Sequence, residues 1–182
     1  PLPLKMKDED LGDWHSVNYC IEQLGKKRDK PFFLACGLIK PHLPWAVPQK
    51  YYDMFPRDTI KLPPHLENDF SDIPKFAHGV GTSGDHPKFL KSGRWKDAIQ
   101  SYLATVAFVD VCIGRLLDAL EEFGLSENTL FIYTSDNGPW KLATNSWVKG
   151  NMNRRVGGFA HPLKGYKFSR FEGGMRVPTV MW

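Results

Sequence analysis

Three features of this 182-residue chain predict an α/β fold with a largely parallel central sheet flanked by helices. Two short apolar runs, at residues 31–37 and 129–135, have the β-branched and aromatic composition of buried strands. Between them a long amphipathic segment, 95–123, reads as a helix, and the order strand, helix, strand argues for a right-handed parallel crossover. The second run ends abruptly in Ser135-Asp136-Asn137-Gly138, which places two oxygen-bearing side chains at a strand's carboxyl edge, where α/β proteins build their sites.

Taken in order, residues 8–26 read as a helix, with Leu11, Trp14, Val17, Ile21 and Leu24 three or four apart and Gly25 near the end. Asp8, Glu9 and Asp10 suit its start as dipole partners better than as a metal site. The strand at 31–37 runs into Lys40-Pro41-His42-Leu43-Pro44-Trp45, so polar groups again follow a strand. From 41 to 91 the chain is rich in Pro, Gly, Asp and His and reads as a long irregular excursion of the kind that lines a site. Within it His65, His78 and His86 read as solvated, and Trp45, Tyr51, Tyr52 and Phe55 as packing.

Ser92 can cap the next helix. That helix carries Ile99, Tyr102, Val106, Val109, Ile113, Leu116 and Leu120 on a stripe expected to face the sheet, and Gly124 stops it. After the 129–135 strand, a polar, glycine-rich stretch through residue 161 contains Arg154-Arg155 and reads as exposed loop. Residues 162–178 then form a glycine-punctuated loop with Lys164, Lys167, Arg170 and Arg176, ahead of a new apolar strand. Within it Glu172 and Arg176 suit a structural ion pair. Cations close to carboxylate and amide oxygens point to an anionic ligand held together with a hard cation.

A hydrophobic content of 42%, with 13% aromatic residues, supports a real core. The net charge of +4 comes from basic residues that are spread rather than blocked, and no helix-turn-helix, zinc-knuckle or aromatic RNA-binding pattern accompanies them. Nucleic acid is therefore not an expected partner. No apolar run approaches the roughly 20 residues of a bilayer span. The three cysteines lack Cys-x-x-Cys spacing, which argues against a zinc site or a disulfide framework, and Cys36 and Cys112 sit in apolar runs as buried thiols would.

The Pro41-His42-Leu43-Pro44 element after a strand, the Thr134-Ser135-Asp136-Asn137-Gly138 element and the Lys167 to Pro178 element (Lys-x-x-x-x-Glu-Gly-Gly-x-Arg-Val-Pro) occur in an order and at a spacing that resemble the sulfatase family of the alkaline-phosphatase superfamily. The resemblance covers most of the chain. Its Lys40 to Trp45 element and residues 93–104 look like the iduronate-sulfatase-type branch, whereas residues 136–140 and 171–178 look more like arylsulfatase A. It implies that residues 1–182 are part of an alkaline-phosphatase-like sulfatase catalytic domain.

By that resemblance, Asp136 and Asn137 supply part of a Ca²⁺ shell, and His42 and Lys167 are catalytic and contact the sulfate ester. Lys40 is a weaker substrate-binding candidate. The substrate implied is a sulfated glycan or a small organic sulfate ester. A metal and Lys167 would neutralise charge on the sulfuryl oxygens, and a histidine can donate a proton or hydrogen bond near neutral pH.

The family's nucleophile is a formylglycine made, by a formylglycine-generating enzyme, from the cysteine of a Cys-x-Pro-x-Arg or related motif. Cys20, Cys36 and Cys112 all lack that context. The nucleophile and the rest of the metal shell are therefore expected from sequence upstream, and the chain reads as an internal fragment that also lacks the carboxyl-terminal part. A periplasmic, secreted or lysosomal location is implied by the resemblance alone. Two other readings remain open: a phosphoryl or phosphonate hydrolase of the same superfamily, and a noncatalytic anion-binding pseudoenzyme.

Overall fold

A computed structural model describes residues 5–64, 71, 86–139, 160, 162–167 and 169–182. Its helices are α1 (Gly12–Leu24), α2 (Gln49–Asp53), α3 (His86–Ser92), α4 (Trp95–Glu122) and α5 (Glu172–Met175), and its strands are β1 (Ile132–Thr134) and β2 (Thr179–Met181). The chain divides into two compact units, residues 1–62 with 92–129, and residues 63–91 with 130–182.

The first unit is built on α4. Phe108 and Cys112 of α4 and Val17 of α1 are fully buried, and Tyr51 of α2 sets its ring edge-on to Phe108 with centroids 5.5 Å apart. Gln100 of α4 donates from Nε2 to the carbonyls of Tyr52, at 3.2 Å, and Phe55, at 2.9 Å, which ties the end of α2 to α4. Arg115 lies 3.8 Å above the Trp14 ring and donates to Asn18 Oδ1 at 2.7 Å, tying α4 to α1.

The long helix matches its expected extent, and Val109, Leu116 and Leu120 of the expected stripe are buried, but towards its N-terminal half the buried face shifts. Ala98, Ser101, Ala104 and Thr105 are buried alongside Phe108, while Tyr102 and Val106 are exposed. Small side chains let α1 and α2 approach closely, which is what decides the face. The buried hydroxyls of Ser101 and Thr105 donate to the carbonyls of Asp97, at 2.6 Å, and Tyr102, at 2.7 Å, so burying them leaves no polar group unpaired.

Two boundaries also move. Ser92 does not cap α4 but ends α3, because Gly93 adopts φ +65° between the two helices, and Arg94 is the N-cap residue. The helix expected over 8–26 is a 3-10 turn, Asp8–Asp10, followed by α1, with Leu11 extended between them. Among the described residues of the 41–91 excursion, α2, a 3-10 turn at Arg57–Thr59 and all but the last residue of α3 are regular.

In the second unit β1 pairs antiparallel with β2, with Ile132 opposite Met181, Tyr133 opposite Val180 and Thr134 opposite Thr179. Phe131 and Trp182 exchange both backbone bonds, at 3.0 and 3.2 Å, and their rings stack 4.7 Å apart. The Thr134 and Thr179 hydroxyls meet at 2.9 Å. All six strand residues are exposed.

The largely parallel central sheet is therefore not what the described residues form. Residues 31–37, expected as a strand, join no ladder, and their neighbour is α1, where Cys20 Sγ lies 3.9 Å from the Ala35 carbonyl. Within the second unit β1 pairs with the chain returning from the 162–178 loop, and an antiparallel return needs no crossover.

Candidate functional site

The Lys40 to Trp45 segment, in the first unit, is a closed turn braced at both ends. His42 donates its backbone N–H to the Ile39 carbonyl at 3.0 Å. Lys40 Nζ donates to the Pro44 carbonyl at 2.5 Å, and Trp45 Nε1 donates to the Pro41 carbonyl at 2.9 Å. The Trp45 ring stands edge-on to Tyr102, centroids 5.7 Å apart, and Tyr52 donates its hydroxyl to the Trp45 carbonyl at 2.8 Å.

Just ahead of the turn, both oxygens of Asp13 accept backbone N–H groups, Oδ1 from Ile39 and Oδ2 from Lys40, each at 2.9 Å. Asp13 itself is only 4% exposed. His42 is exposed, and its Nδ1 lies 2.7 Å from the Leu43 carbonyl. A carbonyl can only accept, so Nδ1 carries the proton and Nε2 is the nitrogen left for a ligand. Desolvation lowers the pKa of Lys40, and the negative charge of Asp13 opposes that shift.

Asp136, Asn137 and Lys167 lie in the second unit, on two loops joined backbone to backbone. Gly138 donates to the Gly174 carbonyl at 2.9 Å, and Lys167 donates to the Pro139 carbonyl at 2.9 Å. The approach is close enough to need glycine on both sides. A Cβ on Gly138 would lie 1.9 Å from the Gly173 carbonyl oxygen, and one on Gly174 would lie 2.5 Å from the carbonyl oxygens of Tyr166 and Ser169. Gly165, at φ +98°, turns the loop toward Lys167, and Ser169 Oγ accepts the Tyr166 N–H at 2.9 Å.

Asn137 donates from Nδ2 to the Gly138 carbonyl at 2.9 Å, which fixes its amide so that Oδ1 is the atom left to face a cation. The Asp136 carboxylate beside it is exposed. Two adjacent hard oxygens fit Ca²⁺ chemistry, but Ca²⁺ takes six to eight oxygens, so the pair is part of a shell. Among the described residues no group of three His, Cys, Asp or Glu side chains gathers into a metal site.

The pair Glu172–Arg176 closes at 3.4 Å with both side chains exposed, as expected of a structural pair one helical turn apart. Desolvation, aided by neighbouring Cys20, pushes the half-buried Cys36 thiol up to about 12, and desolvation pushes the fully buried Cys112 thiol up to about 11. Neither is a thiolate nucleophile at neutral pH. His65, His78, Arg154 and Arg155 lie outside the described residues, as does the His86 side chain. Sequence reasoning missed Asp13. An acidic residue in a first helical turn reads as a dipole partner, and no periodicity marks a bond to residues 39 and 40.

The strand-end pair Asp136-Asn137 and the loop that bears Lys167 are thus held together backbone to backbone. The family model "Sulfatase" matches residues 13–182, and the chain belongs to the sulfatase family. A sulfatase of Formosa agariphila is 40% identical over 134 residues, which cover 72% of this chain and 26% of that protein. Human iduronate 2-sulfatase is 31% identical, covering 98% of this chain and 32% of that protein. An arylsulfatase of Clostridium perfringens is 29% identical, covering 91% and 36%. The chain thus spans about a quarter to a third of the length of these curated relatives.

Proposed function

We propose that these residues are part of the catalytic domain of an enzyme that hydrolyses sulfate esters, acting on a sulfated glycan or a small organic sulfate. The observation that carries the proposal is the backbone stitching of the Asp136-Asn137 loop to the Lys167 loop, in a chain that belongs to the sulfatase family. The glycan class draws support from the similarity to iduronate 2-sulfatase.

Asp136 and Asn137 Oδ1 would hold one side of a Ca²⁺ ion, which supplies positive charge to the sulfuryl oxygens when bound. Lys167 binds a sulfate oxygen and adds a second positive charge from the neighbouring loop. His42 presents Nε2 to the ester; with Nδ1–H held by the Leu43 carbonyl, it is the imidazolium form, protonated on both ring nitrogens, that can protonate the leaving oxygen from Nε2. Lys40 binds the anionic part of the substrate. The nucleophile comes from outside these residues, since none of the three cysteines has the sequence context for conversion to formylglycine.

The test is the intact parent enzyme, coexpressed with a formylglycine-generating enzyme and assayed on an aryl sulfate and on sulfated disaccharides, with and without Ca²⁺. Calcium-dependent sulfate release that falls about 100-fold or more in His42→Ala and Lys167→Ala is the expected result. Turnover of phosphate or phosphonate esters with no sulfate release would replace this reading with the phosphohydrolase one. Absence of turnover on every ester, in folded protein carrying the formylglycine, would leave an anion-binding pseudoenzyme.

A further inference from the structure

We infer that Asp13 is a positioning residue for the substrate-binding turn, holding Lys40 and His42 in place through a two-point grip on the backbone at Ile39 and Lys40. The inference rests on the sulfatase reading of that turn and adds to it a residue that touches no substrate.

The geometry carries the argument. One carboxylate accepts two consecutive N–H groups, each at 2.9 Å, one per oxygen. A single hydrogen bond fixes a distance and leaves the peptide free to swivel, whereas two parallel bonds to a planar carboxylate also fix its orientation. Asp13 is itself immobile, because it sits in the first turn of α1 and is only 4% exposed. Burying a charge there is tolerable only while both oxygens are hydrogen-bonded, and a helix N-terminus favours a carboxylate.

The same helix touches the segment again two turns on, where Cys20 Sγ lies 3.9 Å from the Ala35 carbonyl. The segment therefore runs along α1 and is gripped at its end, directly before Lys40 and two residues before His42. The turn beyond supplies its own internal bonds, from His42 to Ile39 and from Lys40 to Pro44, so fixing residues 39 and 40 fixes the whole turn. The Asp13 charge also favours the cationic form of Lys40, so one side chain both places that ammonium group and helps keep it charged.

The experiment uses the intact parent enzyme and the variant Asp13→Asn. An amide retains one acceptor but turns a donor toward the other N–H, so the two-point grip becomes one bond and one repulsion. A misplacement of about 1 Å costs on the order of 100-fold in rate, so kcat/KM should fall by roughly that factor, with both KM and kcat affected because Lys40 and His42 shift together. Residue-resolved amide hydrogen exchange should show Ile39 and Lys40 losing protection while α4 stays protected.

In a Lys40→Ala background the same Asp13→Asn change should cost clearly less, since part of its effect acts through a side chain already removed. An effect undiminished in that background, or a kcat/KM within about threefold of wild type, overturns the inference. If Asp13→Asn does not fold, Asp13→Glu serves, since it keeps the charge but displaces the two oxygens, and the same loss is expected. Failure of the sulfatase reading is recognised separately, by wild-type enzyme that releases no sulfate. Exchange at Ile39 and Lys40 then decides the grip alone, with protection unchanged in the variant counting against it.

Discussion

Gly138→Ala tests the candidate site most directly. The added Cβ would lie 1.9 Å from the Gly173 carbonyl oxygen, 2.9 Å from the Gly173 carbonyl carbon and 3.1 Å from Gly174 Cα. Carbon and oxygen settle no closer than about 3.3 Å, so the two loops must part by roughly 1.4 Å. Every opposing atom is backbone, and no side-chain rotation relieves the contact. Parting breaks the Gly138 to Gly174 bond, now 2.9 Å, and strains the Lys167 to Pro139 bond beside it.

Overpacking costs about 1–3 kcal/mol and a lost hydrogen bond about 1 kcal/mol, which gives roughly 2–4 kcal/mol of local destabilisation. The larger effect is on registry, because Lys167 moves away from the Asp136-Asn137 oxygens by more than the ~1 Å that costs about 100-fold in rate. In the parent enzyme kcat/KM for an aryl sulfate should fall at least that far, with secondary structure by circular dichroism unchanged. Activity within threefold of wild type would refute the stitching argument, since a full methyl group cannot be accommodated where it is described.

Gly114→Ala, by contrast, adds a Cβ with nothing within 4 Å in the middle of α4, and should raise stability by about 0.5–1 kcal/mol, read as a higher melting temperature. Phe108→Ala removes a fully buried ring stacked edge-on to Tyr51 and should cost about 3–5 kcal/mol by urea titration. Asp97 is held below its ordinary value of 3.8 by hydrogen bonds from Arg57 and then Arg94. A carboxylate with a depressed folded pKa adds stability above the unfolded value and loses it as pH falls through the folded one. Asp97→Asn should therefore weaken the protein at neutral pH and flatten the acid limb of its melting curve below about pH 4.

Sequence patterns read local structure well here and long-range partners poorly. The 3.6-residue periodicity of residues 95–123 located α4 to within a residue of its observed end at Glu122. Its buried face was read correctly at Val109, Leu116 and Leu120 but not in the first turns, because Ala98, Ser101 and Ala104 score weakly as hydrophobic although they allow the closest helix packing. Of the strands expected at 31–37 and 129–135, only the second forms, over Ile132–Thr134, because composition does not say which neighbour an apolar run will bond. The first lies along α1 and the second pairs antiparallel with residues 179–181. Site residues stood out where glycine and paired polar residues interrupt an apolar run, as at Asp136 and Asn137. Asp13 did not, because its role depends on a contact between residues 26 and 27 positions apart.

The bonds from Gly138 to Gly174 and from Lys167 to Pro139 join the two loop stems without drawing on residues 140–159. Backbone groups carry both bonds, so side chains at positions 136, 137 and 167 can be exchanged without removing a donor or an acceptor from the join. The stems act as a socket. The charge the frame presents can therefore be re-set by substitution at Asp136, Asn137 or Lys167 while the frame itself stays closed.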